Sequence, residues 1–104
     1  MIYNATLLRL DEPEPGAPGS PIAVRCAMTP LSAQQSQISI DAGWDAVWVV
    51  YIPQAKVPTP RPVQDGLALM RADGESEGTF FRIAQVFQRH SPVLGHIQIY
   101  LSPV

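Results

Sequence analysis

The chain has 104 residues, with seven Lys and Arg against nine Asp and Glu and a formal net charge of -2. That length fits one domain with a modest core, since a chain of this size buries somewhat over ~60% of its unfolded surface. The charge balance excludes the basic footprint of a dedicated nucleic-acid binder. No stretch approaches the ~20 apolar residues of a membrane span. Met1-Ile2-Tyr3-Asn4 lacks the charged start and long apolar region of a signal peptide, so the expectation is a soluble protein made in the cytoplasm.

Tyr3 to Leu10 reads as a first strand. Asp11 to Pro21 contains Pro13, Pro15, Gly16, Pro18, Gly19 and Pro21, which prevents a regular helix and leaves a solvated, partly extended loop. In the next strand Ile22, Val24, Cys26 and Met28 share one face, which makes Cys26 a buried core thiol. One cysteine forms no internal disulfide, and with only His90 and His96 to help it no convincing four-ligand zinc site assembles. Packing must hold the fold. This strand ends at Pro30-Leu31-Ser32; because proline fits a first helical turn, Thr29 to Ser32 equally reads as the cap of a short helix over Ala33 to Gln37.

Gly43 breaks the chain before Trp44-Asp45, and Ala46 to Ile52 is β-branched and aromatic on both faces, the pattern of a strand covered twice. Pro53, Pro58, Pro60 and Pro62 then remove the amide donors a central strand needs, so Pro53 to Val63 reads as a long exposed connection or a protected edge. Asp65-Gly66 reads as a turn and Leu67 to Ala72 as a strand. An acidic turn, Asp73 to Gly78, joins it to Thr79 to Gln88. His96 to Leu101 alternates, with Ile97, Ile99 and Leu101 on one side and His96, Gln98 and Tyr100 on the other. The sum is a single mainly-β domain over residues 1–104: a small antiparallel β-barrel of about six strands with one short helix and long Pro-rich loops.

Catalytic hardware is not expected. His90-Ser91 lacks a nucleophile elbow, and neighbours on an extended chain point apart. Glu75 and Glu77 lie in a Gly-bounded turn and Asp11, Glu12 and Glu14 in a Pro-rich loop, where they read as solvated charges. Gly74 and Gly78 flank acidic residues, the opposite of a phosphate cradle, so no nucleotide or other cofactor is implied.

The order of parts carries a resemblance. A strand, a loop, a strand running into Pro30-Leu31-Ser32, a polar stretch, a strand, then Gly66 before a hairpin whose second arm reads Phe81-Arg82-Ile83-Ala84-Gln85-Val86 resembles the head-closure proteins of tailed bacteriophages, also called head-tail joining or stopper proteins. It spans Tyr3 to Leu101 and rests on order and spacing, with Phe81, Arg82, Ile83 and Val86 matching positions after the hairpin turn. The segments Pro53 to Val63 and Asp11 to Pro21 depart from the family pattern.

The resemblance implies a mechanical function at the head-tail junction of the virion. Copies would form a ring beneath the portal and adaptor, close the channel after genome packaging and present a surface to the tail proteins, touching the genomic DNA only transiently and without sequence preference. A plug must meet DNA without gripping it, and each Lys or Arg at the lumen adds to phosphate binding. Leu31 to Gly43 contains none, so Ser32, Gln34, Gln35, Gln37 and Asp41 are the expected gating loop. A solvated connection is the alternative. Trp44, Trp48, Tyr51, Phe80 and Phe87 exceed what a small barrel needs, so some are expected to face a neighbouring subunit. The Pro-rich arm Gln54 to Gln64, with Lys56, Pro58, Pro60 and Arg61, is the other expected interface, because pre-extended segments lose less entropy on docking. Two further functions fit the same sequence: another neck or tail-completion protein of the same virion, and a standalone barrel that binds a peptide or protein.

Overall fold

The computed structural model describes residues 2–11, 19, 21–59, 61–89 and 95–104. Strands β1 (Ala5–Asp11), β2 (Val24–Pro30), β3 (Trp48–Pro53), β4 (Leu67–Ala72), β5 (Thr79–Arg89) and β6 (His96–Pro103) close into an antiparallel barrel in the order β1-β2-β3-β6-β5-β4. One helix, α1 (Ala33–Ala42), joins β2 to β3, and a 3-10 turn over Gln54–Lys56 follows β3. The antiparallel barrel of about six strands and the short helix expected from the sequence are present, and the helix runs five residues past Gln37, to Ala42.

Alternation fills the barrel. Ala5, Leu7, Cys26, Val50, Ile52, Ala68, Met70, Ile83, Ile97, Ile99 and Leu101 face one another inside it and are almost wholly buried. Strict alternation would place residues three apart on opposite faces. The pairing of β1 with β4 shifts between Leu7 and Arg9, and that of β5 with β6 between Ile83 and Gln85. Each bulge inserts one residue, so Leu7 and Leu10, and likewise Ile83 and Val86, all pack on the interior. The two bulges bend the strands that a six-stranded barrel must curve.

β1 pairs with β2 over only three residues, Ala5 to Leu7. Beyond that point the side-chain amide of Asn4 stands in for a peptide: its Nδ2 donates to the Met28 carbonyl at 2.9 Å and its Oδ1 accepts from the Met28 N–H at 2.8 Å. Arg25 crosses the same seam, donating to both carboxylate oxygens of Asp73 at 2.5 and 2.8 Å and to Thr6 Oγ1 at 3.1 Å.

The second Pro-rich segment is more than an exposed connection. Val57 packs against the barrel core and Pro62 is buried, so the segment covers the end of the barrel where β3 finishes. Lys56 and Arg61 remain exposed there. Of the first Pro-rich segment only Asp11, Gly19 and Pro21 are among the described residues; Gly19 donates its N–H to Asp11, whose carboxylate also receives Arg9. These bonds, that of Arg9 first, hold the Asp11 carboxyl below its ordinary pKa.

Cys26 lies inside the barrel with its thiol 3.7 Å from the Ala5 carbonyl, and burial pushes its pKa up to about 11. The unfolded chain therefore loses this proton before the native protein does, and stability falls as pH rises towards 11. In urea titrations across this range the wild type should show a steeper alkaline loss of stability than Cys26→Ala. In the same assay Leu101→Ala, at a fully buried position, should cost about 3 kcal/mol, while Val104→Ala at the exposed end of the chain should stay within about 0.5 kcal/mol.

Candidate functional site

The polar segment expected to be a gating loop is a helix fixed at both ends. Ser32 is its N-cap: the hydroxyl accepts from the Gln35 N–H at 3.1 Å, and the Gln35 side chain accepts from the Ser32 N–H at 2.9 Å, a reciprocal capping box. At the other end Gly43 adopts a left-handed conformation (φ 73°), with the Gly43 N–H on the Ile40 carbonyl and the Trp44 N–H on the Ser39 carbonyl. This double closure satisfies carbonyls that the helix end would otherwise leave bare.

The face that α1 turns to the barrel is polar. Ser39 is buried, and its hydroxyl accepts from the Ala46 N–H at 2.9 Å; Gln35 donates to the Tyr51 hydroxyl at 3.1 Å. At ~100° per residue, Ser39 and Gln35 define the inner face, and Gln34, Gln37 and Asp41 form the opposite crest. Gln37 donates to Asp41 at 2.8 Å along that crest. Ile38 and Ile40 lie on the two flanks, 45% and 69% exposed.

Beneath the helix, a second apolar cluster covers the outer face of β3, β5 and β6. Val49, Ala84 and Tyr100 are its buried members, and Leu31, Trp44, Ala46, Tyr51 and Phe87 pack against them. The Trp44 ring meets Tyr100 edge-on at 5.2 Å, and Phe87 meets Tyr100 edge-on at 5.8 Å. Burial, reinforced by the neighbouring Tyr51, raises the Tyr100 pKa. Trp44, Tyr51 and Phe87 are thus half-buried in this layer, whereas Trp48 turns inward at the barrel end where β3 starts. Phe80 is exposed under the Arg9 guanidinium, 5.0 Å from its ring centre.

The two barrel ends differ. Where β3 starts, a cavity of about 190 Å³ opens among Met28, Trp48, Met70 and Phe81, with Asn4 and Glu75 also lining it. The adjoining turn exposes Asp73, Glu75 and Glu77, and only Asp73 has an ion-pair partner among the described residues. Where β3 finishes, Lys56, Arg61, Arg89 and His96 gather around the Pro-rich arm. There Arg61 donates to Gln88, which in turn donates to Gln54. Pro58 is half-buried, and Pro60 lies outside the described residues, as do His90 and Ser91.

Sequence reasoning missed the barrel cavity, because Met28 read only as part of the Cys26 face and Met70 only as a residue of the strand Leu67 to Ala72. It also missed the Gln35–Tyr51 and Ser39–Ala46 bonds; the Ser32-x-x-Gln35 spacing was the visible sign of the first cap. Among the described residues no three His, Cys, Asp or Glu side chains gather as a metal site, and no helix is long and apolar enough to cross a membrane. In comparisons with known proteins, no family model, curated protein or solved structure matches the chain. Removing the cap hydroxyl by Ser32→Ala should lower the stability of the protein by about 1 kcal/mol, read from the urea midpoint.

Proposed function

We propose that the protein is a structural subunit of the neck of a tailed-bacteriophage virion, assembling as a ring that closes the DNA channel after packaging and receives the tail. The observation that carries this reading is the inverted character of α1. A surface helix ordinarily turns its apolar stripe to the core. This one buries a serine and offers Ile38 and Ile40 to solvent on either side of a polar crest that carries no cation.

Such a helix suits an assembled state better than a lone one. An isolated helix of ten residues is marginal in water, and this one is held by its caps and by polar contacts with Tyr51 and Ala46. In a neck ring the crest of Gln34, Gln37 and Asp41 would face the lumen, where the absence of Lys and Arg from the helix keeps phosphate attraction low. The isoleucine flanks would meet proteins on either side. Because the segment is capped and fixed, it would narrow the channel as a rigid helix, and the opening step would move the subunit or the whole helix.

The open apolar cavity favours a second reading, a standalone barrel that binds a peptide. The DNA flanking the gene separates the two. Portal, capsid and tail genes are expected beside it, and flanking genes of bacterial metabolism would overturn the neck reading. Within a producing phage, Ile38→Gln combined with Ile40→Gln should leave the isolated protein within about 0.5 kcal/mol of wild-type stability, because both positions are exposed and glutamine is a good, uncharged helix former. Lysates of that variant should contain heads that have lost their DNA and unattached tails, visible by negative-stain electron microscopy. Normal yields of intact, filled particles would count against a role for this helix.

A further inference from the structure

We infer that the barrel end rimmed by Glu75 and Glu77 is a docking site for the Pro-rich arm of a second copy of this chain, giving a head-to-tail contact between subunits. This rests on the ring reading for the identity of the partner, but the complementarity is a property of this chain alone. The arm Gln54 to Gln64 carries two cations, Lys56 and Arg61, and no anion. The turn Asp73 to Gly78 carries three anions and no cation, and Glu75 and Glu77 have no ion-pair partner among the described residues.

The surfaces match in apolar character as well as in charge. The cavity behind Glu75, about 190 Å³ between Trp48, Phe81 and the two flexible methionines, is large enough to take a ring or a branched aliphatic side chain. The arm presents Val63, 45% exposed, close to Arg61 in a proline-rich sequence. The 3-10 turn and the burial of Pro62 fix the arm to its own barrel before it meets a partner. Little ordering entropy then remains to be lost on docking.

Donor and acceptor lie at opposite ends of one barrel. β3 starts at Trp48, which lines the cavity, and finishes at Pro53, from which the arm departs. An interface between unlike surfaces is heterologous, and repeated head to tail it closes into a ring or runs on as a filament.

Charge reversal tests this directly. Glu75→Lys with Glu77→Lys gives a subunit basic at both ends, and Lys56→Glu with Arg61→Glu gives one acidic at both ends. Sedimentation velocity over a concentration series at low ionic strength should show wild-type self-association that about 0.5 M salt weakens. Each double variant alone should dissociate about tenfold or more readily. An equimolar mixture of the two should associate again, because every junction in an alternating A-B-A-B chain pairs unlike charges. Wild-type association that neither reversal weakens would overturn this contact and leave the ring reading standing. A mixture that stays dissociated would overturn it too, and so would a wild type that is monomeric at every concentration. The neck reading itself is decided separately by the flanking genes.

Discussion

The whole structure depends on one strand being covered on both faces. β3 sends Val50 and Ile52 into the barrel and Val49 and Tyr51 outward, so closing the barrel solves only half of its burial. The outer half sits beside Tyr100 and Ala84, and leaving that layer wet would forfeit roughly 25 cal/mol for each Å² of apolar surface. The connection between β2 and β3 supplies the cover. Leu31 enters the cluster before α1 and Trp44 and Ala46 after it, so the helix is carried on the barrel by the apolar residues at its two ends. This explains how a segment with almost no apolar inner face is held: its own contacts are hydrogen bonds, and the hydrophobic contribution comes from its flanks.

Anchoring by flanks has a functional side. A helix that spends its isoleucines on the core has only polar residues left for a partner. Here the inner face needs only Ser39 and Gln35, each matched to a defined group on the barrel, and Ile38 and Ile40 remain available. The same economy appears in the arm after β3, where Val57 and Pro62 seal the barrel and Lys56 and Arg61 stay in water. Both connections divide the work residue by residue between holding the monomer and facing outward.

Much of the fold was legible in the sequence because its information is local. The alternation of Ile97, Ile99 and Leu101 against Gln98 and Tyr100 fixes β6 and both of its faces, and Ala46 to Ile52 announced a strand buried on both sides. The helix was legible at its start, where Ser32 and Gln35 are correctly spaced. Its extent was not, because Ile38 and Ile40 do not repeat at helical spacing with any inner apolar residue. The bulges at Leu8 and Ala84 left no trace, since each becomes visible only against a partner strand far along the chain. The cavity was hidden for the same reason: Met28, Trp48, Met70 and Phe81 come from four strands, and only barrel closure brings them to one mouth. Lys56 and Arg61 could be named as surface residues, but their placement at the end opposite Glu75 required the strand directions.

The burial of Cys26 also decides how the protein meets chemistry from outside. Its sulfur is the only one of its kind in the chain, lies wholly inside the barrel, and is kept as the unreactive thiol at physiological pH. Copies brought together at high local concentration therefore have no route to oxidative cross-linking while they stay folded. To a maleimide or a spin label the native molecule presents as cysteine-free. A single cysteine introduced on the α1 crest or on the arm becomes the sole address for a probe, with no need to remove the natural one and open a void in the core.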